Sequence, residues 1–232
     1  MNRIELENEL VKLGISAPQK VDRLEEFMKA TLKANESFNL TAIKNENKFR
    51  ELMILDSAIP NKYFKFDNKK IIDIGTGAGY PGMVLATLSN GEFTLLDSTT
   101  KKVQFYSNFA SNYEYFNVNS VCDRAEKFAL KHREEYDFAI ARAVSELNVL
   151  LELAIPMLKV NGFFIALKGA KGLEELAKCK NTLKKLGAEI YQIDEYELPE
   201  SKEKRINIIV KKIAKTSNKY PRDYSSIISN PL

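Results

Sequence analysis

The stretch Lys70-Ile71-Ile72-Asp73-Ile74-Gly75-Thr76-Gly77-Ala78-Gly79-Tyr80-Pro81-Gly82 decides the fold class. Its first half is a short apolar run rich in isoleucine, the pattern of a buried strand. Its second half sets glycines on alternate positions, which lets a chain turn sharply and bring its backbone close to a ligand. A helix is expected to open at Pro81 and to carry Met83, Val84, Leu85 and Leu88. Strand, glycine turn and helix together form the first unit of a doubly wound sheet.

Downstream the alternation repeats. Phe93 to Asp97, Asn117 to Cys122, Tyr136 to Ala141, Gly162 to Leu167 and Ile206 to Ile213 read as further strands. A helix fits between the first two of these, from about Thr99 to Tyr113. Strands alternating with helix-length segments imply a parallel sheet covered by helices on both faces. Upstream the texture is different. Residues 3–13, 18–34 and 46–59 read as helices, with Val21, Leu24, Phe27, Met28 and Leu32 at helical spacing in the second. The expected division is a helical N-terminal subdomain over residues 1–67, followed by the α/β domain over 68–232.

The bulk numbers exclude several classes. With 232 residues, 44% hydrophobic and 28% charged, the chain has an ordinary globular balance. Its start alternates charge and its apolar runs are short, so neither a signal peptide nor a membrane span is expected, and the protein should be cytoplasmic. Cys122 and Cys179 are far apart in sequence and His132 is the single histidine, set among charged residues. Neither a disulfide, a zinc site nor any other metal site is expected, and histidine-dependent hydrolase schemes lack their base. The net charge of +4 is uneven, since residues 200–232 hold eight basic and three acidic side chains. That asymmetry fits a polyanionic partner or, equally, a solvated lysine-rich end. The pairs Lys101-Lys102, Lys184-Lys185 and Lys211-Lys212 read as solvated faces. A monomer is the default expectation.

The glycine loop alone leaves the ligand open. Gly77, Gly79 and Gly82 also spell the dinucleotide pattern, and Asp97 ends the next strand where a carboxylate would accept ribose hydroxyls of either NAD or S-adenosylmethionine. Asp73 favours the second. A pyrophosphate near it would be repelled, whereas the amino group and sulfonium of S-adenosylmethionine are cationic. Two unit charges about 4 Å apart interact by about 4 kcal/mol at an effective dielectric near 20. The competing reading is that Asp73 caps the turn through backbone N–H groups. A nicotinamide-dependent oxidoreductase and a non-catalytic ribosome-associated RNA-binding protein are the alternative functions.

Further blocks then narrow the reading: Asn39-Leu40-Thr41, Ile54-Leu55-Asp56-Ser57, Leu96-Asp97-Ser98, Arg124-Ala125-Glu126, Ala141-Arg142-Ala143-Val144, Leu167-Lys168-Gly169 and Tyr220-Pro221-Arg222 with Pro231-Leu232. In order and spacing, with the glycine loop, they resemble the RsmG family, also called glucose-inhibited division protein B, over nearly the whole chain. The resemblance implies a class I methyltransferase (Rossmann-like) fold with a seven-stranded, mostly parallel sheet. It implies transfer of a methyl group from S-adenosylmethionine to nitrogen 7 of a guanine in the 530 loop of 16S rRNA, with the rRNA or the small ribosomal subunit as partner. With Asp73, Gly77 and Gly79 already read as part of the cofactor loop, the resemblance carried onto this chain implies that Gly75 and Tyr80 flank the methionine and adenosine portion. Asp97 would hold the ribose, and Ala125 and Glu126 would meet the adenine edge. Arg142 would line the methyl-transfer end and Lys168 would face the RNA. Two departures stand out: Met53 occupies a position commonly histidine in the family, and Asp223 and Ser229 replace basic residues of the tail. Arg142 and Lys168 could instead make structural ion pairs, and Glu126 could equally stabilise the first turn of a helix.

Nitrogen 7 of guanine carries an in-plane lone pair and no proton. It can attack a sulfonium methyl group without a general base, which suits a chain with a single histidine. The segment Ala141-Arg142-Ala143-Val144 also lacks the Asn-Pro-Pro-Tyr type of sequence often found after strand four in enzymes that methylate exocyclic amines.

Overall fold

The computed structural model describes residues 1–15 and 18–232. Its strands are β1 (Lys70–Ile74), β2 (Glu92–Asp97), β3 (Val118–Cys122), β4 (Tyr136–Arg142), β5 (Leu158–Gly169), β6 (Ala188–Glu197) and β7 (Lys204–Lys212). They form one sheet in the order β3-β2-β1-β4-β5-β7-β6. β1 to β5 run parallel, and β7 lies antiparallel to both β5 and β6. The order reverses between β1 and β4, so the loops leaving the carboxyl ends of those neighbours diverge and open a crevice.

The helices are α1 (Arg3–Lys12), α2 (Pro18–Asn35), α3 (Glu46–Phe49), α4 (Asp56–Ala58), α5 (Gly82–Leu88), α6 (Thr100–Asn112), α7 (Ala125–Lys131), α8 (Leu147–Ala154), α9 (Gly172–Ala177), α10 (Lys180–Leu186) and α11 (Tyr224–Ser229). Successive strand residues point to opposite faces, and both faces are apolar. Ile71, Phe93, Leu95, Phe138, Ile140, Ile165 and Leu167 pack against Phe27 of α2, Val84 of α5 and Tyr106 of α6. Ile72, Ile74, Ala139, Ala141, Phe164 and Ile208 pack against Phe128 of α7, Leu150 of α8 and Leu186 of α10. The N-terminal helices are continuous with the first of these cores, through Leu6, Leu24, Phe49 and Ile54. Among the described residues, no helix is long and apolar enough to cross a membrane.

Three expectations need correction. The helix over 46–59 is not regular: α3 passes into a π-helical segment, Arg50–Leu55, before α4 and a 3₁₀ turn, Ile59–Lys62. Such segments concentrate at functional sites, because the altered hydrogen-bond ladder re-aims backbone and side chains. The strand β6 has no counterpart in the sequence reading, because it is an edge strand whose residues are mostly polar and only partly buried. Lys212 is not on a solvated face. Its side chain is wholly buried, with Nζ donating to the Leu158 carbonyl and pairing with Glu134, and burial lowers its pKa.

Candidate active site

The glycine loop is held down by the strand beside it. The N–H groups of Gly75 and Thr76 both donate to the Leu96 carbonyl of β2, at 2.7 and 3.1 Å. Gly77 adopts φ +63°, and a Cβ there would meet nothing within 4 Å. Glycine is required at that position by the left-handed backbone rather than by crowding. Gly79 serves packing: its φ is +97° and a Cβ would lie 2.9 Å from both Phe27 and Met83.

Above the loop lies a cleft of about 470 Å³, walled by Gly75, Gly77, Tyr80, Asp97, Ala125, Glu126 and Arg142 among others. Seven of the residues anticipated from sequence therefore share one cavity. Asp97 ends β2 with both carboxylate oxygens held. Oδ2 accepts the Gly77 N–H at 2.9 Å and Oδ1 accepts the Thr99 N–H at 2.8 Å. A carboxylate oxygen has two lone pairs, so each keeps acceptor capacity toward a ligand. Glu126, at the start of α7, is 8% exposed. Its Oε1 accepts Arg124 Nε at 3.3 Å, whereas Oε2 is buried without a partner among the described residues. A buried acceptor left open costs free energy, on the order of 1–3 kcal/mol, so such an atom marks a place where a donor would be favoured.

Tyr80 lines the cleft and ties it to the N-terminal helices. Its ring stacks on Phe27 of α2 (centroids 4.9 Å apart) and meets Phe49 of α3 edge-on at 5.5 Å, and its hydroxyl lies 3.1 Å from that of Thr31. Burial raises the pKa of the phenol, so it stays neutral.

Asp73 does not wall the cleft. It is 1% exposed beneath the loop, and its Oδ2 accepts the Gly82 N–H at 2.7 Å, capping α5. This is the turn-capping role. Among the described residues Oδ1, however, has no hydrogen-bond partner, and burial pushes the carboxyl up to about 6 against the pull of Thr76, Gly82 and Arg142. The group can therefore both cap the helix and set the local potential.

Arg142 ends β4 and is held from three sides. It donates to the Leu52 carbonyl at 3.0 Å and to Met53 Sδ at 3.1 Å, and lies 3.7 Å from Asp56 Oδ2. Leu52 and Met53 sit within the π-helical segment. Burial lowers the pKa of Arg142, while Asp56 and Asp73 raise it. Asp56 also accepts Arg205 Nε at 3.2 Å and the Tyr196 hydroxyl at 3.1 Å. Sequence reading assigned no role to Asp56, Met53, Tyr196 or Arg205. The Ile54-Leu55-Asp56-Ser57 block was the one available signal, and its partners lie about ninety and one hundred and fifty residues downstream.

Lys168 lies outside the cleft and 6% exposed. Its Nζ is committed to the Ser145 carbonyl at 2.6 Å and to Glu175 at 2.7 Å. Those contacts fix the loop after β4 to α9, the structural ion pair that the sequence left open. His132 lies apart from the site, stacked on Phe128 and 2.9 Å from Glu135. Among the described residues there is no cluster of histidine, cysteine or carboxylate side chains able to hold a metal ion.

Comparison with known proteins agrees with this geometry. Residues 20–205 match the family described as GidB, rRNA small subunit methyltransferase G. A protein of Caldicellulosiruptor bescii called ribosomal RNA small subunit methyltransferase G is 42% identical over 213 residues, covering 89% of this chain and 90% of its own. A protein of the same name from Fusobacterium nucleatum is 39% identical, covering 96% and 97%. Among solved structures, an S-adenosylmethionine-dependent methyltransferase from Aquifex aeolicus superposes with a TM-score of 0.57 at 15% identity, over 71% of this chain and 93% of that one. M. jannaschii TYW2, solved in complex with AdoMet, gives 0.53 at 15% identity, over 65% and 72%. At such identities the structures speak for the fold.

Proposed function

The chain belongs to the GidB family, rRNA small subunit methyltransferase G, and on that premise we propose that it transfers the methyl group of S-adenosyl-L-methionine to nitrogen 7 of a guanine in the 530 loop of 16S rRNA. The observation that carries the reading is the gathering of Gly75, Gly77, Asp97, Glu126 and Arg142 around a single cleft at the strand-order switch.

The residues present fit the cofactor. The open Oε2 of Glu126 suits an amino donor such as that of adenine, and Asp97 keeps acceptor capacity for a ribose diol. The unpartnered Oδ1 of Asp73 puts negative potential under the loop, on the side where a cationic group is favoured. When bound, S-adenosylmethionine supplies an electrophilic methyl group on a sulfonium.

The protein's contribution is alignment. Arg142 stays a cation, with its fork oriented by Leu52, Met53 and Asp56. A guanidinium so fixed can grip the carbonyl oxygen of a guanine or an adjoining phosphate, bringing the neighbouring ring nitrogen to bear. Tyr80 beside it closes the cleft floor against water. Since nitrogen 7 has no proton to lose, no base is needed. Orientation alone can supply roughly 7–11 kcal/mol of rate enhancement in favourable intramolecular cases.

The test is transfer of a tritiated methyl group from S-adenosylmethionine to small ribosomal subunits and to protein-free 16S rRNA from cells lacking the enzyme. The product is then cleaved at 7-methylguanine with borohydride and aniline. A single cut in the 530 loop is expected. Methylation elsewhere, or label stable to cleavage, would overturn the assigned base or position.

A further inference from the structure

The C-terminal residues are packed against the α/β domain, and one of them, Tyr224, lines the cleft. Tyr220 and Ile227 are buried, and the Thr182 hydroxyl donates to the carbonyl of Leu232. Arg222 is locked to Glu152 of α8, which is 1% exposed. Oε1 of Glu152 accepts the backbone N–H and Nε of Arg222 at 2.9 and 2.8 Å, and Oε2 accepts a terminal nitrogen at 2.6 Å. This is a two-pronged geometry that fixes direction as well as position. Asp223 then caps α11 by accepting the Ser226 N–H, and the following side chain, Tyr224, enters the cleft wall.

There Tyr224 meets Arg124. The guanidinium lies 4.4 Å from the centre of the tyrosine ring, within cation–π range. Arg124 also holds Oε1 of Glu126 and leaves Oε2 free. Two flat, delocalised groups therefore border a buried acceptor that has no donor among the described residues. That combination fits an aminopurine: a face to lie against the flat groups and an exocyclic N–H₂ for the carboxylate. Base-on-aromatic and base-on-guanidinium contacts of this kind tolerate any base, and the carboxylate supplies the preference for an amino group.

We propose that Tyr224, carried by the docked segment 220–232, walls the adenine side of the cofactor cleft, that Tyr224 and Arg124 hold the adenine, and that the Arg222–Glu152 pair positions Tyr224. The proposal rests on the reading of the cleft as an S-adenosylmethionine site.

Calorimetry with S-adenosylhomocysteine and with 5′-methylthioadenosine, which lacks the amino-acid end, tests it. Tyr224→Ala is expected to weaken both ligands about tenfold and by the same factor, as for loss of a base-stacking contact. Tyr224→Phe should restore wild-type affinity. Arg222→Ala should weaken both ligands several-fold alone but add nothing to Tyr224→Ala, because a residue acting only through Tyr224 has no further effect once that ring is gone. Tyr224 is 36% exposed, so its removal should lower the melting temperature of the free protein by only a few degrees and leave it folded at the temperature of the titration; Arg124→Met provides a second variant of the same surface, with the same loss of affinity expected. Wild-type affinity in both Tyr224→Ala and Arg124→Met would overturn the proposal, as would Tyr224→Phe binding no better than Tyr224→Ala. Failure of the wild-type protein to bind either ligand would instead overturn the cofactor reading on which the proposal stands.

Discussion

The two ends of the cleft are held by different kinds of interaction. At the β2–β3 end, the carboxylate of Asp97 is fixed by backbone N–H groups from adjoining loops, and Glu126 keeps an oxygen unspent. At the β4 end, Arg142 is surrounded by partners far away in sequence: the π-helical segment, and Asp56 with its own ties to β6 and β7. The first end has acceptors waiting for a ligand; the second has a cation whose position is over-determined. Binding should depend mainly on the first, and reaction geometry mainly on the second.

That contrast can be broken most directly at Arg142. Replacing it by alanine is expected to lower single-turnover methyl transfer by 10² or more, the scale of a misplaced reacting group, with a smaller effect on RNA affinity measured by filter binding. An unchanged single-turnover rate would remove the distinction between the ends.

Asp73 lies between them, and its effect should appear as a pH dependence. Its folded pKa of about 6 lies above the ordinary carboxylate value of 3.8. The stability it contributes is present below pH 4 and is lost as pH rises through 6, because the native state holds the proton more tightly than the unfolded chain. The full swing is on the order of 3 kcal/mol. Asp73→Asn keeps an acceptor for Gly82 and should abolish this slope in urea titrations between pH 4 and 6.5. Parallel curves for variant and wild type would show that the carboxyl is ordinary.

Asp97→Ala sharpens the other side. Loss of a charged acceptor is worth about 1.5–3 kcal/mol, so calorimetric affinity for S-adenosylhomocysteine should fall by roughly one to two orders of magnitude while far-ultraviolet circular dichroism is retained. Wild-type affinity would refute the ribose role. The smallest effect is expected at Lys168. Lys168→Met should cost on the order of 1 kcal/mol of stability through its bonds to Ser145 and Glu175, with methyl transfer per folded molecule within about twofold of wild type. A large loss of rate without loss of stability would return Lys168 to the substrate side.

The same contrast explains what the sequence could disclose. β1, β2, β4, β5 and β7 hold apolar runs bounded by turns, and the glycine loop, Asp97 and Glu126 stand at fixed offsets from them. Local periodicity and motif spacing carry that information. The Arg142–Asp56–Arg205 arrangement is made by tertiary contact and leaves no periodic trace, and the π-helical segment differs from a regular helix only in its hydrogen-bond ladder. Lys168 shows the converse: a lysine at the end of a central strand suggests a site, yet the fold uses it as a brace. Tyr224 stands between the two tail blocks without a pattern of its own, and the docking of Arg222 on Glu152 and of Ile227 on α8 brings it to the cleft.

The polar character that hid β6 from pattern reading has a use of its own. An outermost strand exposes unpaired backbone groups, against which a strand from another chain can align and start accretion. Here that margin carries Glu189, Glu195 and Glu197, while Asp194 is paired with Lys62, and the pairing register slips between Ile190 and Gln192. A second chain laying its own β6 alongside would face a row of like charges and a kinked template. The polar residues that conceal this strand in the sequence are of the kind that discourages edge-to-edge pairing.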